Sequence, residues 1–396
     1  MNAARLPAPS VTEFDSPILA LHHWLRERNY AGHEPYDLLN SPLLRKWAVH
    51  QPFATLFIQG GKRIGGVHLR QWLHVPPSHN PKALALVLSA FCDLARSGWF
   101  SRRHAEHVRN LLLELRSPHE SDFCWGYDWH YVSLRGARMP AFSPNSVVTV
   151  FCAHALLDFA NIYQDEESKA IAHSATNWLA TRLNRSTDTD TGLCLSYTPN
   201  DHTRIFNNSA LAGALFARIA SDSRLPQYGS LARRIMEYLG NGQAKDGSWT
   251  YGVARSQQWI DTFHTGYNLC ALLEYQQLTG DTSFSQALAR GYDFYCSHFF
   301  CPDGAPRYFH NRTYPIDIHS CSQAILTLCA FAELDPDALS RAEQIARWTI
   351  QHLRNSDGSF GYQIHPHRVD RTPYIRWSQA WMLRALARLR LTIGGE

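Results

Sequence analysis

The feature that most constrains this chain is its likeness to itself. A turn-like string recurs as Asp122-Phe-Cys-Trp125-Gly-Tyr127, Asp190-Thr-Gly192 with Tyr197 following, Asp246-Gly-Ser-Trp249-Thr-Tyr251, Asp303-Gly-Ala-Pro-Arg-Tyr308 and Asp357-Gly-Ser-Phe360-Gly-Tyr362. The first residues lie 68, 56, 57 and 54 positions apart. In Asp-Gly the acid bonds the backbone while glycine takes a positive φ, so each string reads as a tight turn with aromatics beyond it. A second signature follows each turn, where His, Asn or Trp precedes Ser or Thr at the head of a long apolar run. Its copies are Asn145-Ser146, Asn208-Ser209, His264-Thr265, His319-Ser320 and Trp377-Ser378, spaced 63, 56, 55 and 58. Two strings that keep nearly one period mark a repeat of helical hairpins.

Long apolar runs cover 83–97 and, behind the five copies of the second signature, 147–160, 209–221, 265–278, 320–333 and 378–390. They are apolar on every side, as helices buried on most faces are. More amphipathic segments alternate with them at 102–116, 166–184, 227–241, 283–299 and 338–354, and the segment 15–28 supplies a sixth. A hairpin alone leaves its apolar face uncovered, and six closed into a ring bury it. The pattern predicts an all-α fold, an (α/α)6 toroid of six inner and six outer helices formed as one structural domain. Residues 81–396 carry the hairpin repeats, and residues 1–80 hold the N-terminal helix and a less regular segment packing on the ring. Within that segment a short helix is expected near 42–49 and a strand or hairpin from Phe53 to His68.

Composition excludes several classes. With 45% hydrophobic and 18% charged residues the chain has a core to bury, and disorder is excluded. A net charge of +4 without a run of like charges argues against nucleic acid as a partner. Neither a signal peptide nor a membrane helix is expected, which places the protein in the cytoplasm. The nine cysteines are scattered and mostly within apolar stretches, so a disulfide framework is not expected. The sequence leaves oligomeric state open.

In a closed ring, side chains at equivalent inner-helix starts meet at one central mouth although about 55 positions separate them in sequence. One hairpin contributes Trp259, Asp261, His264 and Tyr267, and the next contributes Tyr314, Asp317 and His319. Tyr374, Arg376, Trp377 and Gln379 come from the last hairpin, and Tyr127, Asp128, Trp129, Asn145, Arg204, Asn207 and Asn208 from earlier ones. Tyr308 and His310 lean over the same opening from connecting loops. Aromatic faces cover the apolar side of a sugar ring while Asn, Asp, His and Arg satisfy its hydroxyls, so the ligand class is a glycan or a sugar-containing small molecule. His264, His319, Asp261, Asp317, Tyr267 and Tyr314 are the candidates for catalysis. Arg376, Trp377, Tyr374, Trp259, Tyr127, Trp129, Asn207, Asn208, Tyr308 and His310 are the candidates for binding. Asn and Asp at these starts also read as simple helix caps, each contributing about 1 kcal/mol. Arg376 suits the carboxylate of a uronic acid, and equally an internal pair with Asp370. No cofactor is expected. A divalent metal held by both histidines and both acids fits the ligand inventory, although the spacing matches no known metal string.

Gln243 followed by Asp246-Gly-Ser-Trp249 resembles the Gln-x-x-x-Gly-x-Trp string of squalene cyclases and prenyltransferase-like toroids, with Asp357-Gly-Ser-Phe360 a weaker copy. The architecture also resembles six-hairpin glycosidases, polysaccharide lyases and uronyl C5-epimerases. A protonating terpene cyclase is expected to carry Asp-x-Asp-Asp, and Asp188-Thr-Asp190 lacks the second adjacent acid. Zinc-holding prenyltransferases use Asp, Cys and His, and the only Asp-x-Cys string here is Asp122-Phe-Cys124 in an early repeat. The resemblance implies a carbohydrate-active enzyme, with His and Tyr moving protons on an acidic, uronate-containing glycan or precursor. An epimerase or lyase in polysaccharide biosynthesis is the favoured form. The alternatives are an inverting glycosidase using Asp261 and Asp317, a terpenoid cyclase or prenyltransferase-like enzyme, and a noncatalytic glycan-binding scaffold.

Overall fold

Six helices whose side chains are buried almost all round stand next to one another in a closed circle. In the computed structural model, which describes residues 12–46, 51–61, 66–132 and 138–395, they are α5 (Pro81–Arg96), α7 (Ser146–Tyr163), α9 (Phe206–Ser223), α11 (Thr262–Thr279), α13 (Ile318–Ala330) and α15 (Trp381–Gly394). Each packs on the next, and α15 packs on α5 to close the ring. The outer layer is α1 (Asp15–Glu27), α6 (Arg102–Glu114), α8 (Glu166–Arg182), α10 (Pro226–Asn241), α12 (Ser285–His298) and α14 (Ala338–Leu353). All twelve expected helices are present. A π-helical turn, Ile375–Ala380, leads into α15, so the last inner helix begins three residues before its expected start.

Side chains complete the closure. Asp93 on α5 accepts from Arg388 on α15 at 2.9 and 3.1 Å and also pairs with Arg384. Outside the ring, α1 is fastened by Asp15 to Arg390 at 3.0 Å and by the Trp24 indole to Asp357 at 2.9 Å. The helix α7 has the length and hydropathy to cross a membrane, and 67% of it is buried inside the protein as part of the ring.

The turn strings pack hairpins together. Trp125, Trp249 and Phe360 are buried, and the two indoles donate to the carbonyls of Leu112 and Leu239 near the ends of the preceding outer helices, at 3.0 and 2.9 Å. Gln243 ties its turn to α12, donating to Gly247 and Ala287 and accepting from Arg290 at 2.7 Å. Asp246 and Asp357 each accept from the backbone and hydroxyl of the Ser two residues on.

Short strands decorate the connections: β1 (Tyr131–Val132) with β2 (Arg138–Met139), β3 (Arg185–Thr189) with β4 (Gly192–Leu195), and the antiparallel β5 (Ile316–Asp317), β6 (Gln363–His365) and β7 (Arg368–Asp370). The N-terminal segment departs from expectation. In place of a strand or hairpin from Phe53 to His68 it forms α3 (Gln51–Gly61) and α4 (Gly66–Trp72), residues 62–65 lying outside the described set. A short apolar run fits helix and strand alike, and here buried Ala54 packs against Leu39. The short helix expected near 42–49 is α2 (Pro42–Arg45), the part at 47–50 falling outside the described residues.

Two glycines test this account. Gly247 has φ +91°, and a Cβ there meets the Arg290 carbonyl oxygen at 2.2 Å, whereas a Cβ at Gly229 on α10 meets only Ala220 at 3.7 Å. Gly247→Ala is therefore expected to destabilise by about 2 kcal/mol or more. Gly229→Ala is expected to be neutral or stabilising by up to about 1 kcal/mol. Urea unfolding of both checks this, and equal midpoints contradict the turn assignment.

Candidate functional site

The starts of α11 and α13 are built alike. Asp261 caps α11, its Oδ1 accepting from the His264 backbone at 2.9 Å, and Asp317 caps α13 through the His319 backbone at 2.8 Å. Capping is only part of what these acids do. The Oδ2 of Asp261 also meets His264 Nδ1 at 2.7 Å and accepts from the Trp259 indole at 2.8 Å. That fixes the imidazole by one nitrogen and leaves Nε2 available. Asp317 accepts from the Trp377 indole at 2.9 Å and from Gln363 at 2.6 Å, a contact set by the pairing of Asp317 with Gln363 between β5 and β6. Burial pushes the Asp317 carboxyl up to about 6 against the pull of those donors.

One turn into α11, the Tyr267 hydroxyl meets His319 Nε2 at 2.8 Å. The His319 ring is stacked on Phe263 at 4.3 Å and on Trp381 at 4.4 Å, and its Nδ1 has no partner among the described residues. Burial, then the charges of Lys82, Arg376 and His264, lowers its pKa well below the usual histidine value. Burial likewise pushes the Tyr267 phenol well up. Both groups are therefore neutral at rest. The Tyr267 and His264 ring centres are 6.0 Å apart.

Arg376 lies in the π-helical turn, buried beside Tyr127, Trp129 and Trp377 at 5.1 to 5.2 Å from their ring centres. Its partner is Glu34 and not Asp370. Glu34 accepts from the Arg376 guanidinium and backbone, each at 2.9 Å, while Asp370 is engaged by Thr372. Two carboxyl oxygens thus hold one guanidinium nitrogen and one backbone nitrogen of the same residue. Burial nevertheless pushes the Glu34 carboxyl up to about 8, with the Arg376 charge opposing.

The remaining expected residues divide into two groups. Tyr127 and Trp129 stack at 4.3 Å and Tyr36 extends them, 5.8 Å from Trp129. Tyr308 packs edge-on to Phe263 at 5.4 Å, and Trp259 stacks on Tyr251 at 4.5 Å. These form one continuous aromatic wall with Trp377. Asn208 is instead tied to the Leu195 and Ser196 carbonyls, and His310 faces the Ile260 carbonyl. Tyr374 is buried against Arg70 and Tyr362, and Tyr314 is 40% exposed in the loop before β5. Asn207 is buried with its carbonyl oxygen unpartnered. His264, His319, Asp261 and Asp317 do not come together as a metal set. Among the described residues no three His, Cys, Asp or Glu side chains gather in metal-holding geometry.

Two site residues escaped the sequence reading. Glu34 reaches Arg376 across 342 positions, and no spacing announces it. Lys82 is buried in the first turn of α5, its ammonium 3.9 Å from the Phe151 ring centre and within 5.5 Å of those of Tyr267 and Trp381. Its signal was a single lysine heading an otherwise apolar run after Asn80-Pro81.

The Glu34 shift predicts a pH dependence. The folded protein keeps the Glu34 proton up to about 8, whereas a free glutamate releases it near 4.5. The stability it contributes is full below 4.5 and is lost as pH rises through 8, with a slope of at most about 1.4 kcal/mol per pH unit. Glu34→Gln is expected to flatten that decline in urea unfolding between pH 5 and 8. An identical slope in the variant counts against the assignment.

No family model and no curated protein matches the sequence, but solved structures match its fold. Cellobiose 2-epimerase from Bacillus thermoamylovorans aligns with a TM-score of 0.62 at 13% identity, over 80% of this chain and 87% of that one. A sugar epimerase from a ruminal bacterium gives 0.62 at 10% identity, over 82% and 91%. An unsaturated glucuronyl hydrolase specific for heparin gives 0.58 at 12% identity, over 80% and 87%. At such identities the likeness establishes the architecture, and the chain has the (α/α)6 toroid fold these proteins share.

Proposed function

We propose that this protein is a carbohydrate-active enzyme that binds an acidic sugar in its central well and transfers a proton at the carbon beside the carboxylate. The observation that carries the reading is the pair of proton-carrying groups at the ring centre: His264 held by Asp261, and Tyr267 held by His319. His264 is arranged as a base, because the Asp261 carboxylate stabilises the imidazolium formed when Nε2 takes a proton. Tyr267, kept neutral by burial, is arranged as a donor. The electron pair left on carbon spreads into the carboxyl group. A proton returned to C5 from the other face gives epimerisation, and one given to the departing O4 gives elimination.

The aromatic wall of Tyr36, Trp129, Tyr127 and Trp377 supports a sugar ligand, and the sugar-directed names of several proteins with this fold point the same way. Glu34, Lys82 and Arg376 argue against an isoprenoid, which needs an apolar cavity. A hydrolase is the second reading, favoured by the raised Asp317 carboxyl. It is weakened by the indole and amide donors that occupy both Asp317 oxygens.

Incubation with glucuronate-containing oligosaccharides in deuterated water is expected to place deuterium at C5 or to form a 4,5-double bond. His264→Gln and Tyr267→Phe should each lower that rate by about 100-fold or more. Release of reducing sugar without exchange, abolished by Asp317→Asn, supports the hydrolase instead.

A further inference from the structure

Beside Tyr267 lies a basic group that the proposed proton transfer leaves unused. Asn80 caps α5, its Oδ1 accepting from the Ala83 backbone at 3.0 Å, and Asp128 holds the Asn80 amide from the other side at 2.5 Å. This fixes Lys82 in the first turn, 3% exposed, with its stem in the ring and its amine over Phe151. Among the described residues the amine makes no hydrogen bond or ion pair. An aromatic face attracts a cation but does not replace three lost hydrogen-bond acceptors. Arg376 differs, because Glu34 accepts from its guanidinium, although its Nε has no partner among the described residues. Lys82 is the basic group of the site whose side chain makes no hydrogen bond at all among the described residues.

We propose that Lys82 receives the carboxylate of the acidic sugar and takes up a proton as it does so. This rests on the acidic-sugar reading above and assigns the residue that selects the acid. A carboxylate seated on the amine supplies the missing acceptors and brings the adjoining carbon beside Tyr267, whose ring centre is 5.5 Å from the amine. Burial first, then the Arg376 charge, lowers the Lys82 pKa well below the usual lysine value, with Glu34 and the Cys152 thiol pulling the other way. Tyr267, beside the amine, and His319, bonded to Tyr267, are neutral groups. An arriving anion reverses the balance and makes the ammonium the favoured form.

Calorimetry at pH 7 in two buffers of different ionisation enthalpy tests this, with methyl β-D-glucuronide as ligand and methyl β-D-glucoside as its uncharged twin. The wild type is expected to take up close to one proton with the glucuronide and none with the glucoside. Lys82→Met should weaken glucuronide binding by roughly 10- to 100-fold. Lys82→Arg, permanently charged, should keep binding and lose the uptake. Unchanged glucuronide affinity in a folded Lys82→Met overturns the inference alone. So does uptake that persists in Lys82→Arg, since Glu34 is then the acceptor; this second outcome decides even if the Met variant does not fold. A wild type that binds neither glycoside, or both equally, overturns the acidic-sugar reading and the inference with it.

Discussion

The structure depends on closure of the inner ring. Each inner helix is apolar on nearly every side, and only neighbours on both flanks and an outer helix behind can keep those sides from water. That demand cannot be met locally for α5 and α15, which lie about 300 residues apart in sequence and must still become neighbours. Asp93, gripped by Arg384 and Arg388, marks one end of their seam, and Glu34 on Arg376 clasps the same two ends of the chain at the mouth. Removing Asp93 leaves buried charge uncompensated, which typically costs about 3–5 kcal/mol, and removing protonated Glu34 leaves hydrogen-bond donors unmet, at about 1–3 kcal/mol. The mouth clasp is thus both structural and part of the candidate site.

Closure also divides labour between the two repeated signatures. The turn strings pack between hairpins, where Trp125, Trp249 and Phe360 fill the wedge and Gln243 stitches turn to helix, while the tyrosines that end them, such as Tyr127 and Tyr308, join the aromatic wall. The helix starts face inward and supply the ionisable groups. One period therefore carries two jobs, and the two signatures are joined where Phe360 exchanges backbone hydrogen bonds with the Gln379 side chain.

How much of this was legible follows from which constraints are local. Inner and outer helices could be read because burial on all sides imposes continuous hydrophobicity and the hairpin imposes a period. Asp261, His264, Tyr267 and His319 could be found because equivalent positions in a ring must meet. Glu34 could not, since it comes from the segment without a repeat, and its partner had an acid nearer in sequence, Asp370. Lys82 was hidden differently: in a string of apolar residues one lysine reads as a stem lying along the surface, and only closure shows that the surface is the centre of the ring. The stretch from Phe53 to His68 failed for want of period, because a short apolar run fits helix and strand equally well.

Cap and catalyst are usually weighed as rival explanations for an acid at a helix start, but Asp261 serves as both. Its Oδ1 holds the first turn of α11 while Oδ2 orients His264, so the interaction that begins the helix also aims the imidazole. The same economy appears at Asp317, whose Oδ1 accepts both from the His319 backbone and from the Trp377 indole and so anchors the turn bearing Arg376. A site made this way is as rigid as the helix ends that compose it, since moving either histidine means breaking a cap. Rigidity explains why a buried lysine can be left unanswered: the ring, held by its caps and clasps, does not collapse to supply an acceptor.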